Sequence, residues 1–172
     1  MDRNTHARQA QLRAQAIYLE RPESAQTVHR GSAMVRDGLT CTYEQDGHRV
    51  VLDMPHAIGG SDDGPPPGFY ARAGICGCLA IGIKMTAARE KLHLDTVTVR
   101  IEQDWDNRGV LGMEGANPVA SDTRICIDIA SPASEDAISD MVARALNSDP
   151  WFLAYRDAQP VHTAVSVGAD VV

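Results

Sequence analysis

The most apolar part of the chain lies between residues 69 and 91. No charge occurs between Arg72 and Lys84, and small residues alternate there with large apolar ones and two cysteines. A helix that is apolar on nearly every side is typical of a buried core helix. Its 11 uncharged residues are too few for a bilayer, which needs about 20. The pattern therefore predicts a long buried helix from about Phe69 to Lys91.

Two short turns organise the segment from Thr27 to Met54. Asp37-Gly38 and Asp46-Gly47 are two-residue hairpin signals, because these residue types tolerate the left-handed backbone of such turns. The runs LTCTYE and HRVVLDM between and after them alternate in polarity or are β-branched, as strands are. The segment therefore predicts a three-stranded antiparallel meander.

Two further stretches, Leu94–Gln103 and Thr123–Ala130, alternate between apolar and polar positions. Branched apolar side chains share one face, and Cys126 lies on the opposite face of the second strand. The polar, glycine-rich residues 105–120 predict a long hairpin connection between the two strands.

Helical patterns flank these strands. Thr5–Glu20 has the pattern of a polar surface helix. Ser131 is the expected cap of a helix with apolar residues at helical spacing from Ile138 to Leu146. A short turn of helix is expected after Asp149-Pro150.

The last predicted element is a strand at Val161–Val167. The order α-βββ-α-ββ-α(α)-β lacks the strict alternation of a doubly wound sheet and predicts an α+β fold with antiparallel sheets. A chain of 172 residues can bury one sizeable core. We expect residues 1–22 to form an N-terminal helical extension and residues 23–172 a single domain.

Charge and composition exclude several functions. The net charge is −7 and the pI about 5.2, whereas phosphate binding needs clustered Lys and Arg, so no nucleic-acid partner is expected. The first 20 residues contain charges and no apolar run, so neither a signal peptide nor a membrane partner is expected and the chain should be cytoplasmic. The four cysteines lack zinc-site spacing and the six histidines are scattered, so no metal or cofactor is expected.

Three stretches combine into a more specific signal. They are VRDGLTCTYEQDGHRVVLDMPHAIGG at 35–60, GPPPGFYARAGICGCLAIGIKMTAARE at 64–90, and ALNSDPWFLAYRDAQPVHTAVSV at 145–167. Together they resemble the family of osmotically inducible protein C and the organic hydroperoxide resistance proteins. The first resembles its Arg-Asp-Gly hairpin, the second its central cysteine helix, and the third its closing helix, turn and strand. The resemblance covers residues 27–168.

The resemblance implies an assembly as well as a fold. Proteins of this family are similar in being intertwined homodimers, with antiparallel sheets from both chains around two long central helices. Their sites lie at the interface. A helix that is apolar on every face needs more cover than one chain easily gives, which agrees with this expectation.

The resemblance also implies a chemistry. Cys78 falls on the family's reactive cysteine, whose thiolate attacks the O–O bond of an organic hydroperoxide in the response to oxidative stress. The products are an alcohol and a sulfenic acid. Burial alone raises a thiol pKa, so a cation is needed, and the resemblance points to Arg36. By itself, Arg36 would be interpreted as a solvated turn residue.

Two positions depart from the family pattern. Gly68 stands where the peroxidases have a glutamate that orients the arginine; Asp37, Asp62 or Asp63 are possible substitutes. Asp149 stands where they have a second, resolving cysteine. The expected cycle is therefore a one-cysteine cycle in which an external thiol reductant acts on the sulfenic acid.

The remaining cysteines do not supply an obvious resolving thiol. Cys76 lies about 200° around the helix from Cys78 and is expected to be core filling, as is Cys41. Cys126 is the one alternative of any appeal. Without a resolving thiol, oxidised Cys78 should over-oxidise or form a mixed disulfide with added thiol, and should not form an internal disulfide.

Three functions remain open at this point. The first is the one-cysteine hydroperoxide reductase. The second is a binding protein for a small hydrophobic ligand beside Cys78, which the two departures favour. The third is a structural, stress-related dimer. The pKa of Cys78 separates the first two: a thiolate well below the ordinary pKa of about 8.5 favours chemistry, and an unreactive thiol favours binding.

Overall fold

A long central helix joins two antiparallel sheets in the computed structural model, which describes residues 2–168. The sheets have the strand orders β1-β2-β3 and β4-β5. This is the α+β arrangement predicted from the sequence. In chain order the elements are α1 (Arg3–Glu20), β1 (Ser32–Val35), β2 (Cys41–Gln45), β3 (His48–Leu52), α2 (Pro67–Glu90), β4 (Thr96–Asp104), α3 (Asn107–Val110), β5 (Asp122–Ala130), α4 (Glu135–Leu146) and α5 (Pro150–Arg156).

The bounds of α2 follow from its end residues. Pro67 occupies the first helical turn, where its missing N–H costs nothing. Lys91 ends the helix in the left-handed conformation, with φ of 61°, and its backbone N–H reaches back to Ala87 and Ala88. The predicted bounds were right to within two residues at each end.

One face of α2 packs into the core. Ile75, Leu79 and Ile83 are fully buried, and they recur every four residues. The core cluster continues from Ile83 to Ala87, Leu94, Met141 and Ala145, with Leu92, Val97, Ile127, Ile129, Ile138 and Val142 packed around it. Burying a side chain of this size contributes about 2 kcal/mol. The C-terminal half of α2 is thereby fixed against β4, β5 and α4.

Helix α2 is longer than its uncharged run indicates, so the expectation that it is too short for a bilayer is wrong. Counting only the uncharged residues 73–83 made the helix too short for a bilayer, but α2 is 24 residues long. Among the described residues, it is the one helix whose length and composition would allow it to cross a membrane. A core helix passes the same test. In this chain Ile75, Leu79 and Ile83 of α2 are buried, and Ile83 packs into the core cluster with residues of β4, β5 and α4.

The N-terminal meander has the predicted connections. The β2–β3 turn places Asp46 and Gly47 at φ of 50° and 78°, between the paired residues Gln45 and His48. Positive φ at both turn positions matches the twist of the flanking strands. Gly38 in the first turn also has positive φ, at 64°.

Few interactions tie this meander to the rest of the chain. The Tyr70 hydroxyl donates to the Val51 carbonyl at 3.0 Å, and the Asp53 N–H donates to the Pro65 carbonyl at 3.3 Å. All four residues of β1 are exposed. The sheet β1-β2-β3 therefore presents apolar side chains to solvent, and Met34 and Val35 are 47% and 52% exposed.

A buried carboxylate fixes the loop that leads from β3 into α2. Asp53 is 1% exposed. It accepts hydrogen bonds from the Thr40 hydroxyl at 2.9 Å and from the backbone N–H groups of Met54, Ser61 and Asp63 at 2.7, 3.1 and 3.2 Å. Burial opposes the charge, but the hydrogen bonds outweigh it and the pKa of Asp53 is lowered.

Two glycines permit this loop to fold tightly against β3. A Cβ atom at Gly60 would lie 1.6 Å from the Met54 carbonyl oxygen, and one at Gly64 would lie 2.4 Å from that of Val51. Both neighbours are backbone atoms that cannot move aside. Only glycine fits at these two positions.

Two sequence predictions fail in the second half of the chain. The cap of α4 is Ser134, which accepts from the Ala137 N–H; Ser131 instead donates its hydroxyl to the His93 carbonyl at 2.6 Å. Residues 161–167 do not form the predicted closing strand, because no strand in the described part of the chain lies beside them. Val167 is 96% exposed.

Helix α1 has the predicted surface character, because none of its residues is buried. It lies along the C-terminal half of α2. Gln11 donates to the Met85 carbonyl at 3.3 Å, and the Arg89 guanidinium donates to the Gln11 side-chain oxygen. The N-terminal helix is thus attached through polar contacts to the end of α2.

We predict that Asp53→Asn lowers the melting temperature by several degrees at pH 7. A lowered pKa in the folded state means that ionised Asp53 stabilises the fold above the unfolded pKa of about 4, and that this contribution is lost as the pH falls through the folded pKa. The difference from the wild type should therefore shrink toward pH 3. Glu114→Gln is the control, because it also removes one negative charge but at an exposed position. A difference that stays constant between pH 7 and pH 3 would contradict the assignment.

Candidate functional site

Cys78 lies on a distinct stripe of α2, formed by Gly74, Cys78, Gly82 and Thr86 at intervals of four residues. The spacing stacks these residues on one side of the helix. This stripe runs between the buried stripe and an exposed one. The Cys78 thiol is half-buried, about three turns from the helix N-terminus. It is too deep to benefit from the favourable charge there, which fades within the first turn.

The corner between α4 and α5 forms the facing wall. Asp149 caps α5: its Oδ1 accepts from the Phe152 N–H at 2.8 Å, and Pro150 follows as the first helical residue. The Asp149 side chain is only 3% exposed. An aspartate before proline is a strong helix start, and this start holds the carboxylate against α2.

Gly82 permits that close approach. A Cβ atom at position 82 would lie 3.2 Å from Asp149 Oδ2. Oδ2 is fully buried and makes no aligned hydrogen bond among the described residues. A buried carboxylate oxygen without a partner is costly. A proton or a hydrogen-bond donor placed at Oδ2 would therefore be stabilised at this site.

Cys78 and Asp149 line one pocket of about 330 Å³. Its walls are mostly apolar, and its polar side chains include the Arg89 guanidinium about three turns further along α2. We call it the Cys78 pocket. Its residues are Cys78, Ile81, Gly82, Met85, Thr86 and Arg89 of α2, with Ala145, Ser148, Asp149 and Pro150 of the facing corner.

The surroundings of Cys78 favour the protonated thiol. Burial raises the pKa of Cys78, and the hydrogen-bonding and charge effects of the Asp149 carboxylate raise it further. The Trp151 backbone N–H acts in the opposite direction and lowers it. A thiol with a pKa above its ordinary value is less than about a tenth ionised at pH 7. The surroundings within one chain therefore disfavour the thiolate.

Arg36 does not meet Cys78 within one chain. It follows β1 in the turn to β2, is exposed, and directs its Nε toward the Met34 sulfur at 3.2 Å. Arg36 lines a separate depression of about 500 Å³ on the meander. None of the carboxylates suggested as substitutes for the family's glutamate, Asp37, Asp62 or Asp63, forms an ion pair with it among the described residues.

The other cysteines lie outside the Cys78 pocket. Cys76 is half-buried, and burial raises its pKa. Cys41 is half-buried in β2 opposite Leu52. Cys126 is exposed on the outer face of β5, directly across from Arg100 of β4. Its position on the non-isoleucine face was predicted correctly, and that face points away from α2.

Sequence reasoning missed the role of Asp149 as a residue of the pocket. It identified Asp149 as a helix start and as the position of a lost cysteine, but not as a carboxylate beside Cys78. The Asp-Pro signal for a helix start was visible, whereas the packing of this corner over Gly82 was not. Arg89 was likewise missed, because nothing local to α2 shows which side chains share a pocket.

The comparisons with known proteins agree on one family. A family profile described as OsmC-like protein matches residues 60–156, more than half of the chain. No curated protein matches the chain at the significance required.

Solved structures show the same fold at low sequence identity. An OsmC-like protein from Mycoplasma pneumoniae superposes with a TM-score of 0.63 at 15% identity, covering 77% of this chain and 89% of that one. An organic hydroperoxide resistance protein OsmC from Legionella pneumophila gives 0.54 at 20% identity, with coverages of 77% and 91%. An organic hydroperoxide resistance protein from Elizabethkingia anophelis gives 0.58 at 16% identity, with coverages of 78% and 91%.

We predict that an Asp149→Cys variant forms a disulfide with Cys78 on mild oxidation, because position 149 faces Cys78 across Gly82. Non-reducing peptide mapping after diamide treatment measures the link. Ser139→Cys, on an exposed part of α4, is the matched control and should not link to Cys78. A Cys78–Cys126 link in the wild type, or no link in the Asp149→Cys variant, would contradict this geometry.

Proposed function

The chain belongs to the OsmC-like protein family, and we propose that it reduces organic hydroperoxides through Cys78. The observation that supports this most is the position of the Cys78 thiol: it lines an apolar pocket of about 330 Å³ on the central helix, within the part of the chain that matches the family. Relatives of the same fold are named organic hydroperoxide resistance proteins. Apolar walls suit a substrate with a hydrocarbon group better than hydrogen peroxide.

The proposed cycle uses one cysteine. The Cys78 sulfur attacks the terminal peroxide oxygen, the O–O bond breaks, and the products are an alcohol and a sulfenic acid on Cys78. None of the other three cysteines lines the Cys78 pocket. An external thiol therefore condenses with the sulfenic acid to a mixed disulfide, and a second external thiol restores Cys78. We place this cycle in the cytoplasm, where such thiols are kept reduced.

We propose that the working unit is an intertwined homodimer. The exposed stripe of α2 carries Phe69, Ala73, Ile81 and Met85, and Ile81 is 63% exposed. Water-exposed apolar side chains in a row mark an interaction surface. The uncovered face of the meander and the unpaired residues 161–167 also suit pairing with a second copy, as in the family's two-chain sheets.

In this homodimer, Arg36 of one chain is proposed to serve Cys78 of the other. Arg36 is exposed and has no carboxylate partner among the described residues. A guanidinium keeps its charge when it is partly buried and can donate to a peroxide oxygen. The charge would stabilise the sulfur and oxygen anions that develop as the O–O bond breaks.

A second candidate is a binding protein for a small hydrophobic ligand. The raised pKa of Cys78 favours it, because a protonated thiol is a poor nucleophile. The pocket would then hold an apolar molecule with Cys78 as part of its wall. Absence of Cys78 oxidation, together with saturable ligand binding, would select this function.

We predict that the wild type sediments as a dimer at micromolar concentration and that Ile81→Glu shifts it toward monomer, because a charge on the exposed stripe cannot be buried against a second α2. Leu19→Glu, at an exposed leucine of α1, is the matched control and should leave the dimer intact. A wild-type chain that is folded and monomeric at this concentration would contradict the proposed assembly.

We predict that cumene hydroperoxide oxidises Cys78 faster than hydrogen peroxide does, and that added thiol converts the product to a mixed disulfide. Mass spectrometry of the Cys78 peptide measures both steps, with Cys78→Ser as the blank. Arg36→Ala should slow the oxidation by at least about tenfold and raise the thiol pKa.

Equal rates in Arg36→Ala and the wild type would remove Arg36 from the site. No oxidation of Cys78, under conditions in which a free-thiol control reacts, would refute the peroxidase function itself.

A further inference from the structure

The proposed reaction requires two proton transfers, and the Cys78 pocket contains a group that can carry them out. Attack by sulfur on a peroxide requires the thiol proton to leave, and the alkoxide that departs must be protonated to become an alcohol. Burial and the Asp149 carboxylate raise the pKa of Cys78, so its proton is held more tightly than that of a free thiol. A base that accepts the proton and an acid that returns it are therefore both needed beside the sulfur.

Asp149 has the position for both roles. Its carboxylate lines the same pocket as the Cys78 thiol, and the side chain is almost completely buried, with an exposed fraction of 3%. The cap to Phe152 occupies Oδ1 at 2.8 Å. Oδ2 has no aligned hydrogen bond among the described residues and lies over Gly82, one turn beyond Cys78. One oxygen thus fixes the side chain and the other remains available.

We propose that Asp149 is a catalytic residue that accepts the Cys78 thiol proton and delivers it to the departing alkoxide. The inference rests on the proposed function and adds a proton-transfer group to it. The resemblance places Asp149 at the position of the peroxidases' resolving cysteine. In this proposal the residue transfers a proton instead of forming a disulfide.

The step balances without a further reactant. As the Cys78 sulfur bonds to the terminal oxygen of R–OOH, which keeps its hydrogen, the S–H proton passes to Asp149 Oδ2. The O–O bond breaks, its electron pair leaves with the alkoxide, and the proton on Oδ2 passes to that alkoxide. Sulfur is oxidised by two electrons and the peroxide is reduced by two. The products are Cys78–SOH, R–OH and the Asp149 carboxylate.

No other described side chain around the pocket is as well placed for this transfer. On α2, Arg89 donates to Gln11 and Thr86, and Lys84 donates to the Leu94 carbonyl. On α4, Arg144 is paired with Glu90. On α5, Arg156 is paired with Asp157. Cationic groups of these types cannot accept a proton at neutral pH, and both carboxylates already have arginine partners.

The test compares two reactions of Cys78 that differ in their need for a proton. Iodoacetamide reacts with the thiolate and releases iodide, which needs no proton. Cumene hydroperoxide releases an alkoxide, which does. Both rates are measured by mass spectrometry of the Cys78 peptide between pH 6 and pH 8, for the wild type, Asp149→Asn, and the charge control Glu114→Gln. An asparagine side chain retains the cap of α5, but its amide cannot carry the proton.

The inference predicts that the two pH profiles of the wild type separate. Alkylation should rise about tenfold for each pH unit, because it follows the thiolate fraction. Peroxide oxidation should change by less than about threefold over the range, because the reacting pair is thiol and carboxylate. In Asp149→Asn, alkylation at pH 7 should become faster, and peroxide oxidation at pH 6 should fall about 100-fold, the usual size of a lost acid–base group. Glu114→Gln should match the wild type.

Three results would overturn the inference. If wild-type oxidation rises with pH in parallel with alkylation, only the thiolate reacts and Asp149 transfers no proton. If Asp149→Asn slows alkylation, the carboxylate supports the thiolate through a cation instead. If the wild type is alkylated but not oxidised, the proposed function fails and the inference fails with it. Should Asp149→Asn not fold, the wild-type profiles alone decide.

Discussion

The structure depends on burying a helix that one chain cannot fully cover. Helix α2 is apolar on most of its circumference, yet its buried residues are confined to the stripe of Ile75, Leu79 and Ile83 and to the last turns at Thr86, Ala87 and Ala88. The stripe that includes Phe69 and Ile81 remains in water. Apolar surface of this extent favours association, and the same chain leaves β1 exposed and residues 161–167 unpaired with any strand of the described residues. The proposed homodimer resolves all three features together.

The site lies on the third stripe of the same helix, between the covered and the uncovered ones. Cys78 is therefore shielded on one side by its own chain, through the α4–α5 corner, and is open on the side where a second copy is expected. The α4–α5 corner places the Asp149 carboxylate and apolar side chains beside Cys78. The Arg89 guanidinium lines the pocket about three turns further along α2, so the positive charge directly beside Cys78 is proposed to come from Arg36 of a second copy. The electrostatics of the site are thus divided between the fold and the assembly.

The resemblance places Asp149 at the position of the family's resolving cysteine, and a carboxylate at that position affects more than the resolving step. With a neutral sulfur at position 149, the pKa of Cys78 would depend on burial and on any nearby cation. A buried carboxylate adds a negative charge within the pocket and raises that pKa. The same carboxylate can hold a proton during the proposed reaction. Gly82 makes this possible, since a Cβ atom at position 82 would crowd Asp149 Oδ2.

Much of the fold was predictable because its signals are local. The turn at Asp46-Gly47, the alternation in β4 and β5, and the apolar run of α2 each depend on a few neighbouring residues, and the corresponding elements were confirmed. The cap of α4 was predicted at Ser131 but lies at Ser134. Both serines precede the helix, and the hydrogen bond that holds Ser131 to the His93 carbonyl depends on tertiary structure. The predicted strand at 161–167 is absent because a strand needs a neighbour.

The candidate site was less predictable, because its parts are distant in sequence. Cys78 was identified through the resemblance, and its burial followed from the apolar run. The contact with Asp149 could not be predicted, since it depends on how the α4–α5 corner packs over Gly82. The pairing of Cys78 with Arg36 remains a proposal, because the structure of one chain places Arg36 on the separate meander.

The Asp149 carboxylate and burial both raise the pKa of the Cys78 thiol in this structure. The most direct measurement is an NMR titration of the Cys78 Cβ carbon, labelled with carbon-13 and assigned by its loss in Cys78→Ser. The Cys78 pKa should be clearly lower in Asp149→Asn than in the wild type, because the carboxylate that raises it has been removed. A Cys78 titration that Asp149→Asn leaves unchanged would show that the carboxylate does not act on the thiol.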